Sequence, residues 1–396
     1  MRSGELVEIS LKHSESESSA SLPRAGRALL VTPSLTGKDG VSNVSRQVAD
    51  FILCNSRCFQ NLLVWSLADK TCPWGSISIE GFSGAKWKFL RRALTQVFVP
   101  ANDLFIFLLH LHLAPVALPI VARGGQLVTF LHGVECWQGF SLLQRKALQC
   151  SSFVIANSEH TKRQFLSFNP IFQEEDIHVC HLGIDAGNSP VVTLDRQSVL
   201  FALIVGRMDA RERYKGHDLL FEIWPRLIAE VPGARLVVVG DGTDLARLRS
   251  KALRLGLETA VEFAGSVSDE HLYTLYRDCS FFVMPSSGEG FGLVFLEAMR
   301  AGKPCIGAEG ASEEIIEHGV SGYVVRHLCS DDLFEYMKRL FLDSSVREQM
   351  GSAGLQRFKS HFTVDQFQSR LLSALACQND RQRGNSSVVG LRAHRS

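Results

Sequence analysis

Two carboxylates eight positions apart, Glu289 and Glu297, frame the most informative stretch of the chain, GEGFGLVFLEAM over residues 288–299. Glycines at 288, 290 and 292 let a phosphate or sugar approach the backbone closely. Glu297 stands among Leu293, Val294, Phe295, Leu296, Ala298 and Met299, where a carboxylate is costly without hydrogen-bond donors. A ribose diol offers two donors; a salt bridge to a neighbouring element is the alternative. A helix starting near Phe291 or Gly292, if it ran back to Glu289, would set the acids about 12 Å apart. That exceeds the ~5–9.5 Å of paired glycosidase carboxylates. The spacing suits the two ends of one extended ligand, such as a nucleotide diphosphosugar, better than an acid/base pair.

Two cations lie upstream. Arg207 belongs to Gly206-Arg207-Met208, and Lys215 to Tyr214-Lys215-Gly216-His217-Asp218. A forked guanidinium and a compact ammonium together suit a diphosphate. Arg211 and Arg213, between them, read as part of a solvated charged loop. Gly240-Asp241-Gly242 follows an apolar run but lacks the third glycine of a dinucleotide fingerprint, so it reads as structural.

In the first half, Gly37 and Gly40 lie in a flexible loop, 36–43, that opens a helix and so faces an anion or an acceptor. His132-Gly133 follows the apolar run 127–131; a single histidine there is either structural or functional. His110 and His112, two apart on a strand face, are a weak metal signal. With no H-E-x-x-H, no cysteine–histidine cluster and no Asp-x-Asp at a strand end, no metal site and no cofactor is expected.

The elements that position these residues follow from periodicity. Short β-branched runs are expected as strands at 28–32, 61–66, 104–109, 127–131, 153–156 and 177–180. A second set is expected at 199–205, 235–239, 261–263, 281–284, 304–307 and 322–325. Helix-length amphipathic segments separate them, which implies an α/β protein with two doubly wound, Rossmann-like domains of parallel strands facing a cleft. The break at 186–197 reads as the linker. The expected divisions are a disordered tail (1–26), a first domain (27–190), a second domain (191–345), closing helices (346–377, roughly 345–360 and 364–376) and a second disordered tail (378–396). Ligands of such domains bind beyond the carboxyl ends of the strands. The run 104–121 carries His110, His112, Pro115 and Pro119, so it reads as a strand, a loop and a short helix rather than a membrane span. The segment 86–92, KWKFLRR, is either a solvated amphipathic helix or one at a membrane interface.

Bulk properties narrow the class. A chain of 396 residues suits two domains, and a formal net charge of +1 argues against a nucleic-acid partner. Ten scattered cysteines read as free thiols of a reducing cytosol, and the first twenty residues hold no apolar signal sequence. The expected location is therefore cytoplasmic, with a peripheral contact at the inner face of the membrane as an open alternative.

Together these residues resemble the retaining glycosyltransferases of the GT-B fold, family 4 (glycosyl transferases group 1). The resemblance runs from about residue 27 to 376. Glu289 through Glu297 matches the E-x7-E motif, and Gly302-Lys303-Pro304, Glu313 to Ile315 and 319–323 match its continuation. The resemblance implies that Glu297 binds ribose hydroxyls and Glu289 the donor sugar. It implies that Arg207 and Lys215 hold the diphosphate and that His132 lies near the transferred sugar. Gly290, Phe291, Gly292 and Leu293 would offer backbone groups to sugar and phosphate. The spacing from Arg207 to Lys215 is longer than is common in the family, and the Gly37–Gly40 loop lacks the usual adjacent glycines. Residues 132–137 and 213–218 resemble a bacterial branch associated with surface polysaccharide. The expectation is transfer of a hexose from a UDP- or GDP-linked sugar to a glycan or lipid-linked acceptor. The alternatives are a nucleotide-sugar-binding protein without transferase activity and a nicotinamide-dependent oxidoreductase, the latter disfavoured by the incomplete fingerprint.

Overall fold

The structure is a computed structural model that describes residues 26–187, 200–326 and 329–376. The expected tails and most of the expected linker lie outside the described residues.

Two sheets carry the fold. The first contains β1 (Arg27–Thr32), β2 (Asn61–Ser66), β3 (Lys70–Trp74), β4 (Ile77–Phe82), β5 (Leu104–Leu108), β6 (Gln126–Leu131), β7 (Ser151–Ala156) and β8 (Ile177–Val179). Its order is β3-β4-β2-β1-β5-β6-β7-β8, parallel except where β3 runs against β4. The second contains β9 (Phe201–Val205), β10 (Arg235–Val239), β11 (Val261–Gly265), β12 (Phe281–Met284), β13 (Cys305–Ala308) and β14 (Gly322–Val325), in the order β11-β10-β9-β12-β13-β14. Strand order reverses between β1 and β5 and between β9 and β12. Ligands of doubly wound sheets bind at such switch points, and the loops after β1, β5, β9 and β12 carry Gly37, His110, Arg207 and Glu289.

Each expected strand forms within about two residues of its expected ends. The β3–β4 hairpin was not expected from the sequence. Of its residues only Ile79 is fully buried, and Pro73 is tolerated because β3 is an edge strand. The first sheet is covered on one face by the helix Gly40–Cys54, whose Val44, Val48, Phe51 and Ile52 meet Leu30, Phe105 and Phe107. Three helices, Lys86–Leu94, Ala114–Val121 and Leu142–Gln149, cover the other face over Leu29, Val31, Ile106 and Leu108.

The two closing helices part company. The helix Ser344–His361 packs on the second domain against Leu293–Arg300. The helix 364–376 instead returns to the segment after β8. There Ile184 accepts from Val364 N–H (3.1 Å) and donates to Phe362 O (2.9 Å), and Phe367, Leu371 and Leu375 are buried.

A carboxylate pins the domains together. Glu314, in the second domain, accepts the backbone N–H of Glu159 (2.8 Å) and of His160 (2.7 Å) at the start of the first-domain helix Glu159–Phe168. It also bonds His181 Nε2 at 2.7 Å. Burial alone would raise its pKa, but His181 and the two N–H groups outweigh burial and hold it below the usual range. A helix N-terminus favours an anion through its free N–H groups and its dipole.

A second carboxylate shapes the loop after β1. Asp69 accepts from Ser34 Oγ (2.8 Å), Leu35 N–H (2.6 Å), Thr36 Oγ1 (2.6 Å) and Ser66 Oγ (2.7 Å). Burial opposes its ionisation, yet the hydrogen bonds from Thr36, Leu35, Ser66 and Ser34 bring its pKa down to about 2.

Two outcomes follow. A carboxyl with a depressed folded pKa stabilises above its unfolded value and loses that contribution as pH falls through the folded value. Asp69→Asn should therefore remove about 2 kcal/mol at neutral pH. It should also flatten the loss of stability between the ordinary carboxyl range and about pH 2, read from denaturant unfolding at a series of pH values; parallel curves for the two proteins would contradict the assignment. Glu314→Ala should cost about 1–2 kcal/mol by removing a helix cap, measured at neutral pH; an unchanged unfolding midpoint would show that the clamp carries no stability.

Candidate functional site

The β12 strand is fully buried and delivers the turn 285–292 to the gap between the sheets. The following helix begins at Leu293, with Gly292 as its N-cap at φ 98° and no side-chain cap. It therefore does not run back to Glu289, and the 12 Å spacing expected from a continuous helix does not apply. Its first N–H groups are left for solvent or a ligand.

The turn is anchored on both sides. Ser287 N–H donates to Tyr214 O (3.0 Å), and the Tyr214 ring packs on Gly288. On the other side Gly290 meets the first domain. A Cβ on Gly133 would lie only 2.8 Å from the Gly290 Cα, and a Cβ on Gly290 itself would run into the His132 carbonyl. Gly133 also has φ 147°. Only glycine at both positions lets the two backbones meet. Ser158 Oγ (2.6 Å) and Thr161 Oγ1 (3.0 Å), both buried in the first domain, donate to the Gly290 carbonyl. Phe291 is buried against His181 and Phe362, so its side chain is an anchor.

The charged residues form a chain. Arg207, just beyond β9, pairs with Glu212. Glu212 lies 3.9 Å from Lys215 Nζ, and Lys215 donates to Glu289 Oε1 at 2.7 Å. Lys215 and Glu289 have side chains only 14% and 18% exposed, whereas Arg207 is 69% exposed. Lys215 sits in a short 3-10 turn, Arg213–Lys215, just before the helix His217–Glu230, and its stem runs along Gly206. Arg211 pairs with Asp209 in the solvated loop, as expected. Arg213 departs from that expectation: it bonds Asp244 at 3.0 Å, a carboxylate also held by Arg247. The 240–244 segment braces the Arg207 loop, with Met208 N–H donating to Asp241 O (2.9 Å) and Asp244 N–H donating to Met208 O (2.8 Å). Its glycines are structural, because side chains there would strike the carbonyls of Gly206 and Met208.

Glu297 is half-buried on its helix, and burial raises its pKa. Tyr276 Oη donates to its Oε2 at 2.7 Å. The expected salt-bridge alternative is not what holds it: a phenol fills one oxygen.

On the first-domain side, His132 Nε2 lies 2.8 Å from Leu109 O. A carbonyl only accepts, so Nε2 carries the proton and Nδ1 is left as an acceptor. Burial lowers the His132 pKa and favours this neutral form. Glu135 Oε1 accepts the His132 N–H (2.8 Å), and Asn157 Nδ2 donates to His132 O (2.8 Å). His110 and His112 are not on a strand face. They follow β5 and stack at 4.7 Å, and burial brings the His110 pKa down to about 4. Among the described residues no group of three or more His, Cys, Asp or Glu is placed to hold a metal.

The loop after β1 is less open than expected. Gly37 N–H is taken by Ser34 Oγ (2.9 Å), and Asp39 caps the helix Gly40–Cys54 through Ser42 N–H (3.0 Å). A carboxylate already occupies that helix start. Gly40 instead looks across the gap at Leu293, with 3.9 Å from its Cβ position to Leu293 Cδ1.

The structure thus brings His132, Glu289, Gly290 and Lys215 around one turn, with Arg207 at the exposed end of the charge chain. It adds Glu212, Tyr214, Glu135, Ser158 and Thr161. Glu135 and Tyr214 stood inside segments noted in the sequence. Ser158 and Thr161 carried only the signature of a helix cap.

Comparison with known proteins finds similarity in the second half of the chain and in the fold. Residues 193–357 match the profile of the family described as Glycosyl transferases group 1. Over 169 residues the chain is 33% identical to the GDP-mannose-dependent alpha-(1-6)-phosphatidylinositol monomannoside mannosyltransferase of Mycobacterium tuberculosis, covering 41% of this chain and 44% of that protein. It is 34% identical over 169 residues to O-antigen chain mannosyltransferase C of Escherichia coli, covering 42% and 43%. The matches thus span less than half the length of these relatives. In three dimensions the chain superposes on the Anabaena protein HepE, solved in complex with UDP, with a TM-score of 0.71 at 22% identity, over 89% of this chain and 100% of that one. Two parallel-stranded sheets in this arrangement form a GT-B fold, and residues 193–357 are similar to the group 1 glycosyl transferases.

Proposed function

We propose that the chain is a retaining glycosyltransferase that moves a hexose from a UDP- or GDP-linked sugar to a glycan or lipid-linked acceptor, in the assembly of a polysaccharide. The observation that carries this reading is the charge chain Arg207–Glu212–Lys215–Glu289 beside an uncapped helix start and the half-buried Glu297.

A diphosphate would replace Glu289 as the partner of Lys215 and draw Arg207 from Glu212. The uncapped helix start would add N–H donors. All three act where negative charge grows as the bond from the anomeric carbon to the diphosphate oxygen breaks. The free Oε1 of Glu297 would accept from a ribose hydroxyl while Tyr276 keeps Oε2 in place. Glu289, released from Lys215, would bond a sugar hydroxyl. His132 Nδ1 would accept from another.

In the retaining course the acceptor oxygen bonds the anomeric carbon on the face the diphosphate leaves. Its proton passes to a donor phosphate oxygen. The reading invokes no enzymic nucleophile, no metal and no cofactor. The adjoining domains would exclude water and so suppress hydrolysis.

A melting panel with UDP, GDP and their sugars should show stabilisation by one nucleotide series, and sugar should be consumed when a suitable acceptor is supplied. Stabilisation by neither series would overturn the reading; binding without any transfer would leave a nucleotide-sugar-binding protein. Lys215→Ala should lower turnover by about 10²–10³. Arg207→Ala should cost less, because Arg207 is far more exposed. Undiminished turnover in Lys215→Ala would remove the leaving-group role. Glu297→Ala should weaken nucleotide binding by about 10–100-fold, the value of hydrogen bonds to a charged group, read by calorimetry; equal affinity would sink the ribose contact.

A further inference from the structure

A net charge of +1 conceals an uneven distribution. From Gly81 to Ser158 the carboxylates are Asp103 and Glu135, one paired with Arg27 and the other turned onto His132 N–H. The same span contains Lys86, Lys88, Arg91 and Arg92 on the helix Lys86–Leu94, Arg123 just after Ala114–Val121, and Arg145 and Lys146 on Leu142–Gln149. Arg92 is paired with Glu80. The other six are exposed, and among the described residues they form no ion pair.

These three helices lie side by side, with their apolar sides on the sheet. Their outer surface therefore faces away from the core, and its large apolar groups are unusually bare. Trp87 is 83% exposed, Phe98 in the following turn 86%, and Leu142 83%. Leu94 and Leu143 are about half exposed. Aromatic and leucine side chains set among unpaired lysines and arginines are the chemistry of a helix lying at a lipid interface. At one end of the layer, between β4 and the helix Lys86–Leu94, a groove of about 600 Å³ is lined by Thr71, Ser83, Lys88, Arg91 and Thr95, with Glu80 there neutralised by Arg92. Lys88 and Arg91 are therefore the unpaired cations beside the hydroxyls, a set that suits a phosphate. Among the described residues no helix is long and apolar enough to cross a membrane, so contact through this layer is peripheral.

We propose that the outer surface of these three helices docks on an anionic phospholipid bilayer, with Trp87, Phe98 and Leu142 in the interface and the groove beside β4 receiving a lipid phosphate. The inference stands apart from the transferase reading, since it uses none of the cleft residues. It places the carboxyl end of β4, on the same sheet edge as the cleft loops, against the lipid.

The experiment is flotation of the full chain with vesicles of phosphatidylcholine alone and of phosphatidylcholine mixed with phosphatidylglycerol. The chain should bind the mixed vesicles, bind the neutral ones weakly, and lose binding as salt rises. At about fivefold per basic residue, the combined variant Lys86→Glu, Lys88→Glu, Arg91→Glu should bind at least about a hundredfold more weakly. Trp87→Ser with Phe98→Ser should weaken binding to mixed vesicles while leaving its salt dependence in place. All five sites are exposed, so melting midpoints should match the unsubstituted chain. Equal binding to both vesicle types, no binding to either, salt-independent binding, or full binding by the charge-reversed variant would each overturn the proposal.

Discussion

The site depends on a contact between two glycines. Gly133 follows β6 of the first domain and Gly290 lies in the turn after β12 of the second, and neither position has room for a Cβ. Ser158 and Thr161 then fix the Gly290 carbonyl, and Glu314 fastens the start of their helix to the second domain. A side chain at either glycine would push the sheets apart. Separation would carry His132 away from Glu289, and the residues that matter would no longer share a space.

The charge chain shows why such a cleft is stable without a ligand. Lys215 and Glu289 are mostly buried, and each would be costly alone. Paired at 2.7 Å, with Glu212 and Arg207 behind them, they satisfy one another. A bound diphosphate would take over the cations and free the acids for hydroxyl groups. The same residues can therefore stabilise the empty protein and recognise a polyanionic ligand. Glu297 stands apart: its Tyr276 bond leaves one oxygen free, and burial makes that oxygen's need for a donor acute.

Much of this was legible in the sequence, for definable reasons. Strands buried on both faces read as β-branched runs, so twelve of them were found close to their bounds. The β3–β4 hairpin at the sheet edge has little buried surface and a proline, so its signal was faint. Arg207, Lys215, Glu289 and Glu297 stood out because charge in or beside apolar runs needs a reason. The cross-domain roles of Glu314, Ser158 and Thr161 did not, because their partners are more than a hundred residues away in sequence. The helix, expected near Phe291 or Gly292, begins at Leu293; Gly292 is its N-cap at φ 98°, so the helix does not extend back to Glu289. The Gly37 loop read as open because its sequence cannot show that Asp69, Ser34 and Asp39 already occupy its donors.

The central claim is that one nucleoside diphosphate spans Lys215 and Glu297. A structure of the chain soaked with UDP or GDP tests it most directly. The account predicts the diphosphate within hydrogen-bond distance of Lys215 Nζ, with Glu289 released from that lysine, and a ribose hydroxyl on Glu297. A nucleotide seated elsewhere, or one bound here with the Lys215–Glu289 pair intact, would contradict it.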